Sequence, residues 1–295
     1  MQFTITQLCK LSTLRVANLF VLVTIVGVLM AFTPANNSTP NATAGDYDLV
    51  NTIPMEATFL TTDFLKSAYV ITSNNEVMKY DSTGNIIGKY SDNRYGSLTT
   101  IDAKSPFNVL MFYKEFATVV AVDMKLSARH LYKLSSININ NVAAVCLSDD
   151  NYIWVYDLDD GKLKKINTKY EIIHESLSLP QLLGQEIVPN FMTEEEGMIY
   201  MNVPDVGVMM FDVFGNFYNA LSPTDLGNND LGSFQVLQRK IINFEDGQLT
   251  FQDAFSSENS RIPLPKSQNA VDVKVQKGRL FMLQPNELQF FVQAN

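Results

Sequence analysis

Histidine, tryptophan and cysteine are nearly missing from this chain: its 295 residues include two, one and two of them respectively. Two histidines, His130 and His174, fall short of the several ligands a catalytic zinc needs. They also leave a serine triad without an evident base. Cys9 lies at the extreme N-terminus, so Cys146 is the one thiol in the body of the chain, and no internal disulfide can form there. Cys146 sits in the apolar run 142–147 and reads as core packing rather than as a nucleophile. No Gly-x-Ser-x-Gly, P-loop, His-Glu-x-x-His or Cys-x-x-Cys motif occurs. The expectation is a protein that is not an enzyme and holds neither metal nor cofactor.

The first 45 residues lack any acidic side chain; Asp46 is the first. Lys10 and Arg15 precede a 17-residue apolar stretch, Val16 to Phe32, with small residues close behind. That layout is a secretory signal over residues 1–32, either cleaved or retained as an N-terminal membrane anchor. Residues 33–46 are small, polar and nearly uncharged, as in a flexible linker. Export and the absence of disulfides together point to a bacterial periplasm. Setting aside Lys10 and Arg15 leaves 20 of the 22 basic residues against 31 acidic ones, a net charge of −11. Such a surface repels phosphate backbones and anionic lipid. Nucleic acid is excluded as a partner, and membrane contact is expected only through the N-terminal segment if it stays uncleaved.

Six segments recur at nearly equal spacing. Four end on a small acceptor after an apolar run, at Asp81, Asp123, Asn167 and Asp212; two worn copies end at Gln252 and Gln293. A period of about 40 residues with strand-like content predicts a β-propeller of four-stranded blades. Residues 142–179 show one blade most plainly, with Asp149-Asp150 and Asp159-Asp160-Gly161 at its turns. The last repeat supplies three strands and stops, while an extra extended segment lies within 47–60. The sequence thus predicts an all-β, six-bladed propeller over 47–295 whose N-terminal strand closes the last blade and removes an exposed edge.

Two turns share one spelling, Asp81-Ser82-Thr83-Gly84-Asn85 and Asp212-Val213-Phe214-Gly215-Asn216. The Asp accepts a backbone N–H and the Gly takes the left-handed position. This Asp-x-x-Gly-Asn ending resembles the six-bladed NHL/TolB-like propeller superfamily, over about 48–295, and implies architecture rather than activity. The single Trp154 and the lack of a Gly-Gly dipeptide do not fit the WD40, quinoprotein or kelch patterns. Richness in Asn, Tyr, Lys and Ile in an exported propeller is similar to a Bacteroidetes-type cell-envelope protein.

Remaining candidates divide between chemistry and structure. His130 and His174 each fall seven residues after a closing acceptor, hence on outermost strands of adjacent blades, too far apart to share a metal. The run Asp157–Gly161 reads as a hairpin rather than a calcium loop, and Glu194-Glu195-Glu196 as a solvated turn. Tyr152, Trp154 and Tyr156 share a strand face, as inter-blade core or, less simply, as a sugar platform. The connection 222–233 reads as the longest between blades; Pro223, Asp225, Asn228, Asn229 and Asp230 make it a candidate partner-binding loop. The functional expectation is a docking scaffold or accessory subunit that binds another envelope protein in outer-membrane assembly or secretion. The alternative is a small-ligand or glycan-binding propeller, even a lactonase-like hydrolase, using Asp102, Asp149 and Asp272 in an axial pocket.

Overall fold

A computed structural model describes residues 47–264 and 269–294. The signal or anchor segment (1–32) and the linker (33–46) lie outside the described residues. Among the described residues no helix is long and apolar enough to cross a membrane.

Apolar β-formers alternate with tight turns along the chain, and the result is an all-β, six-bladed propeller. The chain opens with β1 (Tyr47–Pro54). Blade one follows as β2 (Ala57–Thr62), β3 (Ala68–Thr72), β4 (Val77–Tyr80) and β5 (Ile86–Tyr90). Blade two is β6 (Thr100–Asp102), β7 (Val109–Tyr113), β8 (Thr118–Val122) and β9 (Ala128–Lys133). Blade three is β10 (Val142–Leu147), β11 (Ile153–Asp157), β12 (Lys162–Ile166) and β13 (Ile172–Glu175). Blade four is β14 (Phe191–Glu195), β15 (Met198–Val203), β16 (Gly207–Asp212) and β17 (Phe217–Leu221). Blade five is β18 (Gln235–Leu237), β19 (Lys240–Glu245), β20 (Gln248–Asp253) and β21 (Asn259–Pro263). In the sixth sheet β22 (Asp272–Gln276), β23 (Arg279–Gln284) and β24 (Glu287–Gln293) are followed outward by β1, which pairs antiparallel with β24 from Tyr47↔Gln293 to Pro54↔Glu287.

Each pair of neighbouring blades encloses its own apolar cluster. Cys146, Trp154 and Tyr156 pack with Ile199, Met201 and Phe211 between blades three and four. Leu60 and Val70 pack with Phe281 and Phe290 between blades one and six. Both faces of a blade are therefore buried, which explains strands such as β7 and β8 with no exposed position. The first strands of neighbouring blades approach one another, β2 with β6 and β22, and β14 with β10 and β18. They line the axis. Because the strands alternate in direction, the turns after the first and third strands of every blade share one end of the ring. The second turn and the inter-blade connections share the other.

The acceptors that mark the repeat close the third strand of their blades. Asp81 Oδ1 accepts from the N–H groups of Thr83 and Asn85 at 2.8 and 3.0 Å, and Asp212 Oδ1 from Phe214 and Asn216, both at 2.9 Å. Asp123 and Asn167 repeat the pattern. Gly84 and Gly215 hold φ of 91° and 84°, as the turn demands. In blade five the acceptor is Asp253, which takes the Phe255 N–H at 2.9 Å, rather than Gln252, whose side-chain amide donates to carbonyls instead.

Three sequence boundaries shift. The extended segment within 47–60 divides into two strands, since β2 begins at Ala57 and belongs to blade one. The longest connection between blades is 176–190, which carries the short helix α1 (Leu179–Leu183), and not 222–233. β14 runs on through Glu195, so of the turn expected at 194–196 only Glu196 lies beyond the strand.

Candidate functional site

The inner strands carry few charges, and most of these meet at one end of the axis. Asp102 ends β6, and its Oδ2 accepts the Leu147 N–H of the next blade at 2.7 Å. Lys104, two residues on, places Nζ 2.7 Å from both Asp149 Oδ1 and the Glu194 carbonyl. Glu194 in turn accepts from the Asp149 N–H at 2.8 Å and from Trp154 Nε1 at 2.7 Å. One chain of polar contacts thus links blades two, three and four. Burial pushes the Asp102 carboxyl up against the pull of the Lys104 ammonium. Burial would lower Lys104, but Asp102 and Asp149 overcome it and hold the ammonium above its usual range. Burial, with Asp102 and Glu194 adding to it, pushes the Cys146 thiol well up, so it is a protonated core residue.

On the other half of the ring, Lys274 of blade six donates to the Ser233 carbonyl ahead of blade five at 3.0 Å, and an amide makes the wider link. Gln235 on β18 accepts the Val275 N–H at 2.8 Å and donates to Thr62 Oγ1 at 3.0 Å, joining blades five, six and one. Between the two halves lies an axial cavity of about 240 Å³, to which all six blades contribute lining. Glu195 lines it, and its carboxyl has no hydrogen bond or salt bridge among the described residues. Burial, opposed by Lys104 and reinforced by Asp149, Glu196 and Asp102, pushes its carboxyl up to about 7.

Phe64 lines this cavity, and further exposed apolar side chains neighbour it. Phe64 and Leu65 occupy the first turn of blade one and Phe107 that of blade two; they are 39 %, 51 % and 58 % exposed. The Phe64 and Phe107 rings lie 6.0 Å apart, and Lys277 of blade six sets its ammonium 5.8 Å from the Phe64 ring centroid. An exposed aromatic pair beside a cavity that holds the unpaired Glu195 carboxyl is a candidate binding arrangement.

The sequence candidates distribute unevenly around it. Asp102 and Asp149 meet at the cavity end through Lys104, but Asp272 does not join them: it begins β22, at the opposite end of its inner strand, and pairs with Lys274 at 2.7 Å. Glu194 and Glu195 are not turn residues; both lie on β14, and Glu194 is wholly buried because the Trp154 and Asp149 N–H groups require an acceptor there. Only Glu196-Gly197 makes the turn. Trp154 and Tyr156 are fully buried between blades, which removes the sugar platform, and Tyr152 is half-buried beside them. Asp157 and Asp160 hold the Lys164 ammonium, each at 2.7 Å, in place of a cation from solution.

His130 lies on β9 against Tyr132, and His174 on β13 against Phe214, both on outermost strands. Among the described residues no group of three or more His, Cys, Asp or Glu is arranged to hold a metal ion. The polar groups of 222–233 largely hold that loop in shape. Pro223 starts a short helix, α2 (Pro223–Leu226), and Asp225 caps it with Ser222. Asn228 Oδ1 accepts the Asp230 N–H, the Asn229 carbonyl accepts the Asp205 N–H, and Asp230 accepts from Asn190 and Asn202. Sequence reasoning missed Phe64, Leu65, Lys104, Phe107 and Glu195. The available signal was apolar residues placed in turns, at 64 and 107, where polar ones are usual.

No protein-family model matches the chain, and no curated protein matches its sequence. Solved structures do resemble it. The WD40 domain of Neurospora crassa Pan2 aligns with 85 % of this chain and 96 % of its own, at 10 % identity and a TM-score of 0.54. A streptogramin B lyase aligns over 84 % and 97 % at 10 % identity with a TM-score of 0.58. A catalytically inactive virginiamycin B lyase from Staphylococcus aureus, solved with quinupristin, aligns over 84 % and 100 % at the same identity and score. At this identity the likeness shows the propeller fold alone.

Proposed function

We propose that this chain is an exported, non-enzymatic propeller that docks another cell-envelope protein, as a scaffold or accessory subunit of an outer-membrane assembly or secretion complex. The observation that carries the reading is the exposed Phe64–Leu65–Phe107 patch at the end of the axis. Large apolar side chains clustered beside a cavity are what a partner's anchor residues fill. The scaffold beneath is rigid because inner strands of neighbouring blades are cross-bonded, and β1, paired with β24, serves as the strand that closes the ring. The signal layout of 1–32 supports export, and the linker would give the ring reach from a membrane or from its point of release.

The loop containing Pro223, Asp225, Asn228, Asn229 and Asp230 lies at the opposite end and is the second candidate docking element. Affinity purification from native membranes, with crosslinking, tests both ends. A Leu65→Ser/Phe107→Ser variant should lose the stoichiometric partner while Thr224→Glu keeps it. If the protein runs as a free monomer with no stoichiometric partner, the docking reading fails.

A second reading, a small-ligand or glycan-binding propeller with hydrolase character, rests on Glu195. A cavity carboxyl near neutrality suits a general base. Against it stands size: about 240 Å³ is below the usual 300–1,000 Å³ of small-molecule sites. Stoichiometric calcium in the purified protein, or a thermal shift with glycans, would favour this reading over docking.

A further inference from the structure

We infer that the axial cavity receives a lysine side chain of the docked partner, with its ammonium paired to Glu195 and its stem against Phe64. The inference rests on the docking reading and names what the cavity beside the apolar patch is for. Volume argues first: the space is too small for most free ligands and suits one inserted side chain.

Charge argues second. The charged groups around Glu195 are Asp102 and Lys104 of blade two, Asp149 of blade three and its own neighbour Glu196, and Lys277 of blade six lines the same cavity with its ammonium 5.8 Å from the Phe64 ring centroid. Lys104 is already engaged by Asp149 and the Glu194 carbonyl. Carboxyls outnumber ammonium groups there, so the local field is negative, and of the two carboxyls lining the cavity Asp102 is hydrogen-bonded while Glu195 is not. Thr61, Thr100 and Thr193 also line the cavity, and a threonine hydroxyl can accept a remaining ammonium proton.

Shape argues third. A lysine carries four methylenes behind a compact charge, and Phe64 stands where those methylenes would pass. The chain's overall negative charge favours a basic partner as well.

The carboxyl that receives the ammonium titrates at about 7, so it is mostly neutral at pH 6 and mostly ionised at pH 8, while a lysine stays protonated at both. The test is a ligand-observed NMR titration of the full-length protein with Nα-acetyl-lysine methylamide at both pH values. Nα-acetyl-norleucine methylamide and the arginine analogue serve as comparisons. Binding of the lysine probe should tighten about tenfold from pH 6 to pH 8, since the ionised fraction rises about that much around a pKa of about 7. Norleucine binding should be weaker and flat with pH, and the isosteric Glu195→Gln variant should flatten the lysine response.

Lack of saturable lysine binding, a flat lysine response in the wild-type protein, or equal binding of norleucine or arginine overturns the inference, and none of these depends on a variant. Loss of partner by Leu65→Ser/Phe107→Ser alongside a flat lysine response overturns the lysine assignment and leaves docking standing. A pH-dependent lysine response with partner retention untouched by that variant instead overturns the apolar patch as the docking face.

Discussion

Trp154 Nε1 donates to Glu194 Oε2 at 2.7 Å across the boundary between blades three and four, and both residues are 0 % exposed. The same carboxylate accepts the Asp149 N–H at 2.8 Å, so one buried side chain satisfies two donors from the neighbouring blade. Its removal strands both.

Glu194→Ala should therefore cost about 3 kcal/mol, at the upper end for unpaired buried polar groups. Glu194→Gln should cost about 2 kcal/mol, because an amide brings its own N–H toward one of the two donors. Urea denaturation is the measurement, read as a lower midpoint at unchanged slope. Wild-type midpoints for both variants would mean that the inter-blade network contributes nothing to stability.

Glu195, the next residue, should act in the opposite sense. Its folded carboxyl lies at about 7 against an ordinary value of 4.5. The folded state therefore binds that proton more readily than the unfolded one. The corresponding stability is fully present below pH 4.5 and declines as the pH rises to about 7. Glu195→Gln should remove this decline, gaining on the order of 1 kcal/mol over wild type at pH 8 once solvent screening of a half-buried group is allowed for. Melting curves of both proteins at pH 5 and 8 decide it; parallel pH dependence would mean an ordinary pKa.

The third-strand turns predict an acid limit. Burial pushes Asp81 and Asp212 up, but bonds from Asn85 and Thr83, and from Asn216 and Phe214, outweigh it and hold both carboxyls low, Asp81 at about 2. Their contribution is complete above the ordinary value of 3.8 and declines as the pH falls below it, for Asp81 toward about 2. Asp212→Ala should cost about 1 kcal/mol at pH 7, as loss of a side-chain cap does, and the difference from wild type should shrink as the pH falls below 3.8. Gly215→Ala should cost about 1 kcal/mol across this range, because its φ of 84° is strained for any side chain. A cost for Asp212→Ala that does not change with pH would contradict the assignment.

These turns were legible from sequence because everything they need is local: an acceptor, a glycine and an amide within five residues. The axial site was not. Lys104, Asp149 and Glu194 are about one repeat apart in sequence, so the contacts that bury Glu194 are invisible to a reading of its neighbours. Three consecutive glutamates look solvated until Trp154 and the Asp149 N–H are seen to need one of them. A boundary shift of two residues moved Glu194 and Glu195 from a turn onto β14 and so hid the cavity carboxylate. Phe64 and Phe107 were readable in principle, as apolar residues in turns, but their meeting depends on how blades one and two sit about the axis.

Ring closure supplies the last prediction. β1 pairs with β24 from Tyr47 to Pro54 with one register shift between Leu49 and Asn51, and Met55 N–H donates to the Asn286 carbonyl at 2.9 Å just beyond it. Ile53 packs against the cluster of Leu60, Phe281 and Phe290. β2 starts at Ala57, so a truncation through residue 62 would remove an innermost strand of blade one as well and could not isolate closure. The informative pair ends at 46 and at 55. Removing 1–46 takes only the signal layout and linker, and the protein should stay soluble and unfold cooperatively. Removing 1–55 strips β1, exposes the polar edge of β24 with Phe290 and Phe291 behind it, and should bring aggregation or a loss of several kcal/mol out of a total of about 5–15. Adding a synthetic peptide of residues 46–56 should restore part of the melting temperature of the shorter protein, since the vacant edge is the strand's own site. Equal solubility and equal melting temperatures for the two truncations would show that β1 does not hold the ring shut.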